Sequence, residues 1–366
     1  MEIKNYNAQQ LNELIHSDAF KAMPNVPVSF HRGLAHVNNP HNRPDDILIQ
    51  LAFEDGEMVG YLGAMPYTVY DEHNQPVECA WPTGMWVSPK MRGRGLMMQM
   101  LKSVISLWNG RAIITEFTPV GKKLYDKSGL FQDLQINQGL RCFMRVNLHE
   151  VLPPKKSIFK TLQPLLKLAD AIANIPVAIK LSLQQNKFAN QAANWHLIDN
   201  VDSETEAYIQ QKQTDSFSKH GAEYLNWMKQ YPWVLEGEET EDSKRYYFSG
   251  VDTRFETQFY KLINNGKLTG FAHVTIRNNH LKVPHLYVDD ATDAARLIYR
   301  LMYQCKLNML TVFHPQLVNY LKTNATPFLY LRPVTRHYII TKSLKQAIGN
   351  NPYWNIQDGE GDAAFT

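Results

Sequence analysis

The chain has 366 residues, 44% hydrophobic and 20% charged, a length that fits two domains better than one or four. That composition excludes collagen-like, coiled-coil and wholly disordered architectures. Lys and Arg number 38 against 35 Asp and Glu, and a net charge of +3 gives no electrostatic reason to expect a nucleic-acid partner.

The chain begins MEIKNYNAQQ, with an acid at position 2 and no apolar run behind it, so no signal peptide is expected. Residues 47–71 read as two strands, ILIQLAFE and MVGYLGAMPYTVY, around an Asp55-Gly56 hairpin turn. A return strand over 77–87 ends at Ser88-Pro89, where a basic, glycine-bearing loop takes over. Leu96, Met97, Met100, Leu101, Val104, Ile105 and Trp108 then recur at helical spacing up to the stop Asn109-Gly110. Residues 112–117 read as a short buried strand, 120–127 as a short helix ended by Gly129, and 132–147 as a final strand pair.

Residues 150–190 carry Pro153, Pro154, Lys155, Lys156 and Lys160 ahead of an amphipathic apolar pattern, and read as a linker containing a helix. Such a helix packs between domains or lies on anionic lipid. Its apolar stretch, 162–183, is interrupted by Pro164, Lys167, Asp170, Pro176 and Lys180, so no membrane span is expected. Cys79, Cys142 and Cys305 form no CxxC pair, which argues against a disulfide scaffold or structural zinc and for a reducing, cytoplasmic setting. The 13 histidines show no metal-ligand spacing, and no metal is expected.

The second half repeats landmarks of the first. Asp55-Gly56 followed by Gly60-Tyr61 returns as Asn265-Gly266 followed by Gly270-Phe271. Trp86-Val87 corresponds to Tyr287-Val288, and Thr115-Glu116-Phe117-Thr118-Pro119 to Thr311-Val312-Phe313-His314-Pro315. Three matches in one order imply a duplicated α+β fold.

The chemistry lies in WVSPKMRGRGLMMQML, residues 86–101, where a strand leads through Arg92-Gly93-Arg94-Gly95-Leu96-Met97 into a helix. Outward N–H groups of a glycine turn and a helix N-terminus suit a pyrophosphate, and Arg92 and Arg94 add charge at the rim. These residues resemble the signature [Arg/Gln]-x-x-Gly-x-[Gly/Ala] of the GNAT superfamily of acyl-CoA N-acyltransferases, with Met97 where a small residue is usual. The segment Thr118-x-x-Gly121-x-x-Leu124-Tyr125-x-x-x-Gly129-Leu130 continues the likeness, Thr118 standing for the family's Asn and Leu130 for its Phe.

The resemblance implies two tandem GNAT-like domains, each a mostly antiparallel central sheet flanked by helices: a catalytic one over 1–149, the linker 150–190, a degenerate copy over 191–346 and a tail over 347–366. It implies an acetyl-CoA co-substrate held by Met85, Trp86, Val87, Arg92, Gly93, Arg94, Gly95, Leu96, Met97 and Thr118. The partner is an amine-bearing acceptor, a small molecule or sugar, attacked directly in a ternary complex. Deprotonating a lysine-like amine at neutral pH costs roughly 4–5 kcal/mol, so a base is useful. The resemblance gives Tyr125 as the acid that returns a proton to the departing thiolate. Glu116 is the first candidate base, with Glu78 and His31 as others.

The second copy has Asp289-Asp290 where the first has the glycine loop, and Leu321 where the first has Tyr125. It is not expected to bind CoA. The arrangement is similar to tandem GNAT proteins of the Eis type. The end NIQDGEGDAAFT reads as a mobile acidic tail or, in the sharper reading, as a segment folding back to bring Asp362 or the Thr366 carboxylate to the cleft. A non-catalytic acyl-CoA-binding protein and a Fem-like aminoacyl transferase, to which Tyr224-Leu225-Asn226-Trp227 bears a weak similarity, are the alternatives.

Overall fold

In the structure, a computed structural model that describes residues 1–153, 156–189, 194–351 and 354–365, Asp55 and Asn265 share a φ of 51°. Both begin the left-handed turns that hairpins require. By contact the chain forms two units: Met1–Asn137, Asn200–Glu256 and Arg336–Thr366 make the first, and Gln138–Asp199 with Thr257–Thr335 the second.

The first unit opens with strand β1 (Glu2–Tyr6) and helices α1 (Ala8–His16), α2 (Asp18–Ala22) and α3 (Phe30–Val37). Asn7 starts α1 with a reciprocal cap to Gln10. Strands β2 (Ile49–Glu54), β3 (Glu57–Tyr70) and β4 (Pro76–Val87) follow, giving an antiparallel sheet in the order β1-β2-β3-β4. Alternation along the strands sorts its faces. Leu51 and Tyr61 pack with Leu11, Ile15 and Val28 of the α1 and α3 side. Ala52 and Leu62 pack with Met100, Leu101, Val104 and Ile105 of helix α4 (Leu96–Leu107).

The sequence expectation of a strand over 112–117 shortens to β5 (Ile113–Ile114), because Glu116 turns the backbone to φ +52°. Helix α5 (Pro119–Ser128) then starts at Thr118 and stops at the left-handed Gly129. The expected strand pair over 132–147 is instead one strand, β6 (Phe131–Phe143). Gly139 within it is a site of close approach: a Cβ there would lie 2.5 Å from the Phe313 ring. Helices Ser203–Lys212 and Ala222–Gln230 complete the first unit, with the end of strand Tyr330–Thr341 pairing with β5 as Ile339 to Ile114.

In the second unit, β6 is followed across the sheet by strands Met309–Val312, His280–Val288, Lys267–Arg277, Phe255–Asn264 and Trp195–Ile198. Helices Ala291–Gln304 and Pro315–Thr323 follow the strands His280–Val288 and Met309–Val312. Val274, Leu281, Leu286, Leu297, Leu310 and Leu321 form its core with Val177, Leu181 and Phe188 of the long helix Gln163–Ala189.

Candidate active site

The site is built on the end of β4. β4 makes a parallel bridge from Ala80 to Ala112, the residue before β5, and is otherwise the edge strand of its sheet. The pairing with β3 slips between Tyr61↔Trp86 and Gly63↔Thr83, so Gly84 and Met85 form a bulge. Bulges re-aim backbone groups, here on the half-buried stretch Met85, Trp86 and Val87.

Beyond β4, the turn Pro89–Met91 leads to Gly93 and Gly95, each at φ +81° with open space where a Cβ would stand. Glycine is needed there for the backbone conformation. Gly95 is the N-cap of α4, and no side chain caps that helix. Its first N–H groups are therefore left for solvent or a ligand. Arg92 and Arg94 stand exposed at the rim, while Leu96 is buried and Met97 packs against the core beneath α4. An anion fits this cradle.

The C-terminal segment is packed against the first unit's own residues rather than standing in solvent. Residues 354–365 are largely buried, and Thr366 lies outside the described residues. At Gly361, φ is +61° and a Cβ would stand 2.1 Å from the Trp81 ring, so only glycine brings the chain this close to β4. The next residue, Asp362, accepts hydrogen bonds from Trp81 Nε1 and from Thr83 Oγ1, both at 3.0 Å. Thr83 in turn accepts from Arg32 Nη2 at 2.6 Å. Phe365 stacks on Trp233 at 4.4 Å and meets Trp227 edge-on at 5.3 Å.

Two ionic clusters hold this segment. Glu360 accepts from Tyr67 and Ser218, with His220 Nε2 at 3.3 Å. Burial drives its carboxyl up, but the His220 charge and these hydrogen bonds outweigh it and keep Glu360 below the usual carboxylate range. Arg336, itself buried, binds both Glu116 and Asp358. Among the described residues, no cation forms an ion pair with the Asp362 carboxylate. Burial and the nearby Glu116 charge push it up to about 6, against the pull of Arg32, Thr83 and Trp81.

Of the residues singled out by sequence, Tyr125 is buried on α5, flanked by the Phe117 and Phe131 rings. Burial, then the charge of Asp362, raises its phenol well above the ordinary value. Thr118 caps α5, its hydroxyl accepting from Gly121 N at 3.1 Å. Glu116 is engaged by Arg336. Glu78 pairs with Arg43, and His31 binds the Trp233 carbonyl at 2.8 Å. Arg32, Tyr67, Ser218, His220 and Arg336 carry no local sequence signal: the carboxylates and the hydroxyl they meet at this site lie 22 to 293 residues away.

Residues 4–120 match the family model described as an acetyltransferase (GNAT) domain. No curated protein matches the chain by sequence. Among solved structures, the chain is similar to Saccharomyces cerevisiae N-myristoyltransferase with bound myristoyl-CoA, at 11% identity and TM-score 0.50 over 93% of this chain and 82% of that one. It is also similar to a probable N-acyltransferase from Enterococcus faecalis V583, at 11% identity and TM-score 0.50 over 94% and 73%. A GCN5-related N-acetyltransferase from Anabaena variabilis aligns at 12% identity and TM-score 0.49 over 93% and 72%.

Proposed function

The chain carries a GNAT domain of the acyl-CoA N-acyltransferase superfamily, and from that premise we propose that its first unit moves an acyl group, acetyl in the simplest case, from an acyl-CoA thioester to a primary amine of a small molecule or sugar. The observation that carries this reading is Asp362: a half-buried carboxyl at about 6, anchored on Trp81 and Thr83 of β4. An acid poised near neutral pH beside the strand edge is what a base for amine deprotonation requires. Gly93, Gly95 and the uncapped start of α4 would hold the pyrophosphate, with Arg92 and Arg94 at its rim. The backbone of Met85 to Val87 would hold the pantetheine arm and acyl carbonyl. Acyl-CoA supplies an activated thioester carbonyl.

The base role passes from Glu116 to Asp362. Glu116 is held by Arg336, and its charge helps raise Asp362. Tyr125 is coupled to this step. The Asp362 carboxylate raises Tyr125, so protonation of Asp362 by the incoming amine removes that effect and makes Tyr125 a better donor to the thiolate. Proton arrival at one group thereby prepares proton departure from the other.

The repeated order of hairpin, strand, helix, strand and helix supports reading the second unit as a degenerate copy without an acyl-CoA site. The three free cysteines suit a cytoplasmic setting. The test is Asp362→Asn against wild type, with acyl-CoA binding by calorimetry and turnover over an amine panel. Retained binding with turnover lost is expected. Turnover unchanged across pH removes the base assignment, and no binding by either protein removes the acyltransferase reading.

A further inference from the structure

The helix Gln163–Ala189 has two apolar faces, and the core uses one of them. Val177, Leu181 and Phe188 are buried in the second unit together with Asp170. On the opposite side, Leu165, Leu168, Ile172, Ile175, Ile179 and Leu183 are each between 58% and 80% exposed. At about 100° per residue these six fall within an arc of roughly 80°, centred about 180° from the buried face. Single exposed leucines are ordinary, but six in one stripe are a surface built to be covered.

The charges beside the stripe say by what. Between residues 156 and 189 there are five lysines, all exposed, and one acid, Asp170. Asp170 is buried, accepting from the Leu148 and His149 N–H groups and pairing with the His149 ring at 2.7 Å. No carboxylate therefore faces outward on this helix. Lys167 lies on one flank of the stripe and Lys180 and Lys187 on the other, where their stems can follow apolar surface and their heads reach away from it. A second copy of the chain seated stripe to stripe would bring lysine rows together with no acid to pair them. No helix among the described residues is long and apolar enough to cross a membrane.

We propose that this face docks the protein on an anionic lipid bilayer, the helix lying in the plane of the headgroups with Leu165 to Leu183 turned into the acyl boundary. The test is co-sedimentation of the full chain with phosphatidylcholine vesicles and with phosphatidylcholine vesicles carrying phosphatidylserine, at low and high salt. Wild type should pellet with the anionic vesicles, and less at high salt. Ile172→Glu with Ile179→Glu should abolish pelleting while leaving the melting temperature in place, since both residues are exposed. Replacing Lys167, Lys180 and Lys187 by Gln should weaken partitioning about five-fold per residue. Failure to pellet with anionic vesicles, equal pelleting with neutral ones, or pelleting untouched by the two glutamates overturns the proposal. So does a wild-type dimer in light scattering that the glutamates dissolve without any lipid effect.

Discussion

Two helices begin after corresponding strands, one in each unit, and they satisfy their first turns in opposite ways. In the second unit, the helix Ala291–Gln304 is capped by Asp290, whose carboxylate accepts from Thr292 N at 2.8 Å, and Asp293 adds a further acid. In the first unit, α4 starts at a left-handed glycine with no side-chain cap and two arginines ahead of it. One helix carries its own anion, and the other leaves the place open. Six residues beyond the matched prolines the contrast recurs: Leu321 is plain core, whereas Tyr125 keeps a phenol within reach of the Asp362 charge. An element order can repeat while the chemistry resides in a few termini that differ.

The sharpest way to break this contrast is Asp362→Asn. Turnover should fall by about 10²–10⁴, and the limb of the pH profile near 6 should vanish, read by steady-state kinetics from pH 5 to 9. Gly95→Asp gives α4 the kind of acid the other helix has. It should weaken acyl-CoA binding by ~100-fold or more in calorimetry; because any side chain is strained at that positive φ, Gly95→Ala serves as the control that separates the added charge from the strain. Gly361→Ala pushes a methyl group into Trp81 at a positive φ, and should cost about 3 kcal/mol in denaturant unfolding and lower turnover with it.

The next effect is one of pH. Asp362 in the folded chain titrates at about 6, above its unfolded value. Its contribution to stability is complete below about pH 4 and is lost as pH rises through the folded value. Asp362→Asn, which cannot ionise, should therefore match wild type at pH 4 and exceed it at pH 8 by about 2–3 kcal/mol in melting experiments. Asp290→Ala is the smallest change: about 1 kcal/mol of stability, with acyl-CoA binding and turnover untouched.

Local chemistry made much of the first unit legible. The Asp55-Gly56 turn, the α4 stripe, the Thr118 cap with Pro119 behind it, and the glycine loop are written in neighbouring residues. The strand pair expected over 132–147 is one strand, and its Gly139 answers to the Phe313 ring far along the chain, a contact that no neighbouring residue announces. The C-terminal segment was harder. DGEGDAAF has a composition that reads as solvated, and its burial rests on Tyr67, Trp81, Thr83, Ser218, His220 and Arg336, residues scattered over most of the chain. No window of sequence contains both a buried acid and the groups that make its burial tolerable. The packing of 200–256 into the first unit is likewise a long-range fact.

Asp362 and the indole it binds are 281 residues apart. At 5–20 residues per second, a ribosome would make them about 15–55 s apart. Through that interval the first unit would have its sheet, its glycine loop and Tyr125, but not its acid. The second unit's residues would already be made. On the proposed assignment, a nascent chain would hold the cradle through that interval before the residue acting as its base could join Trp81.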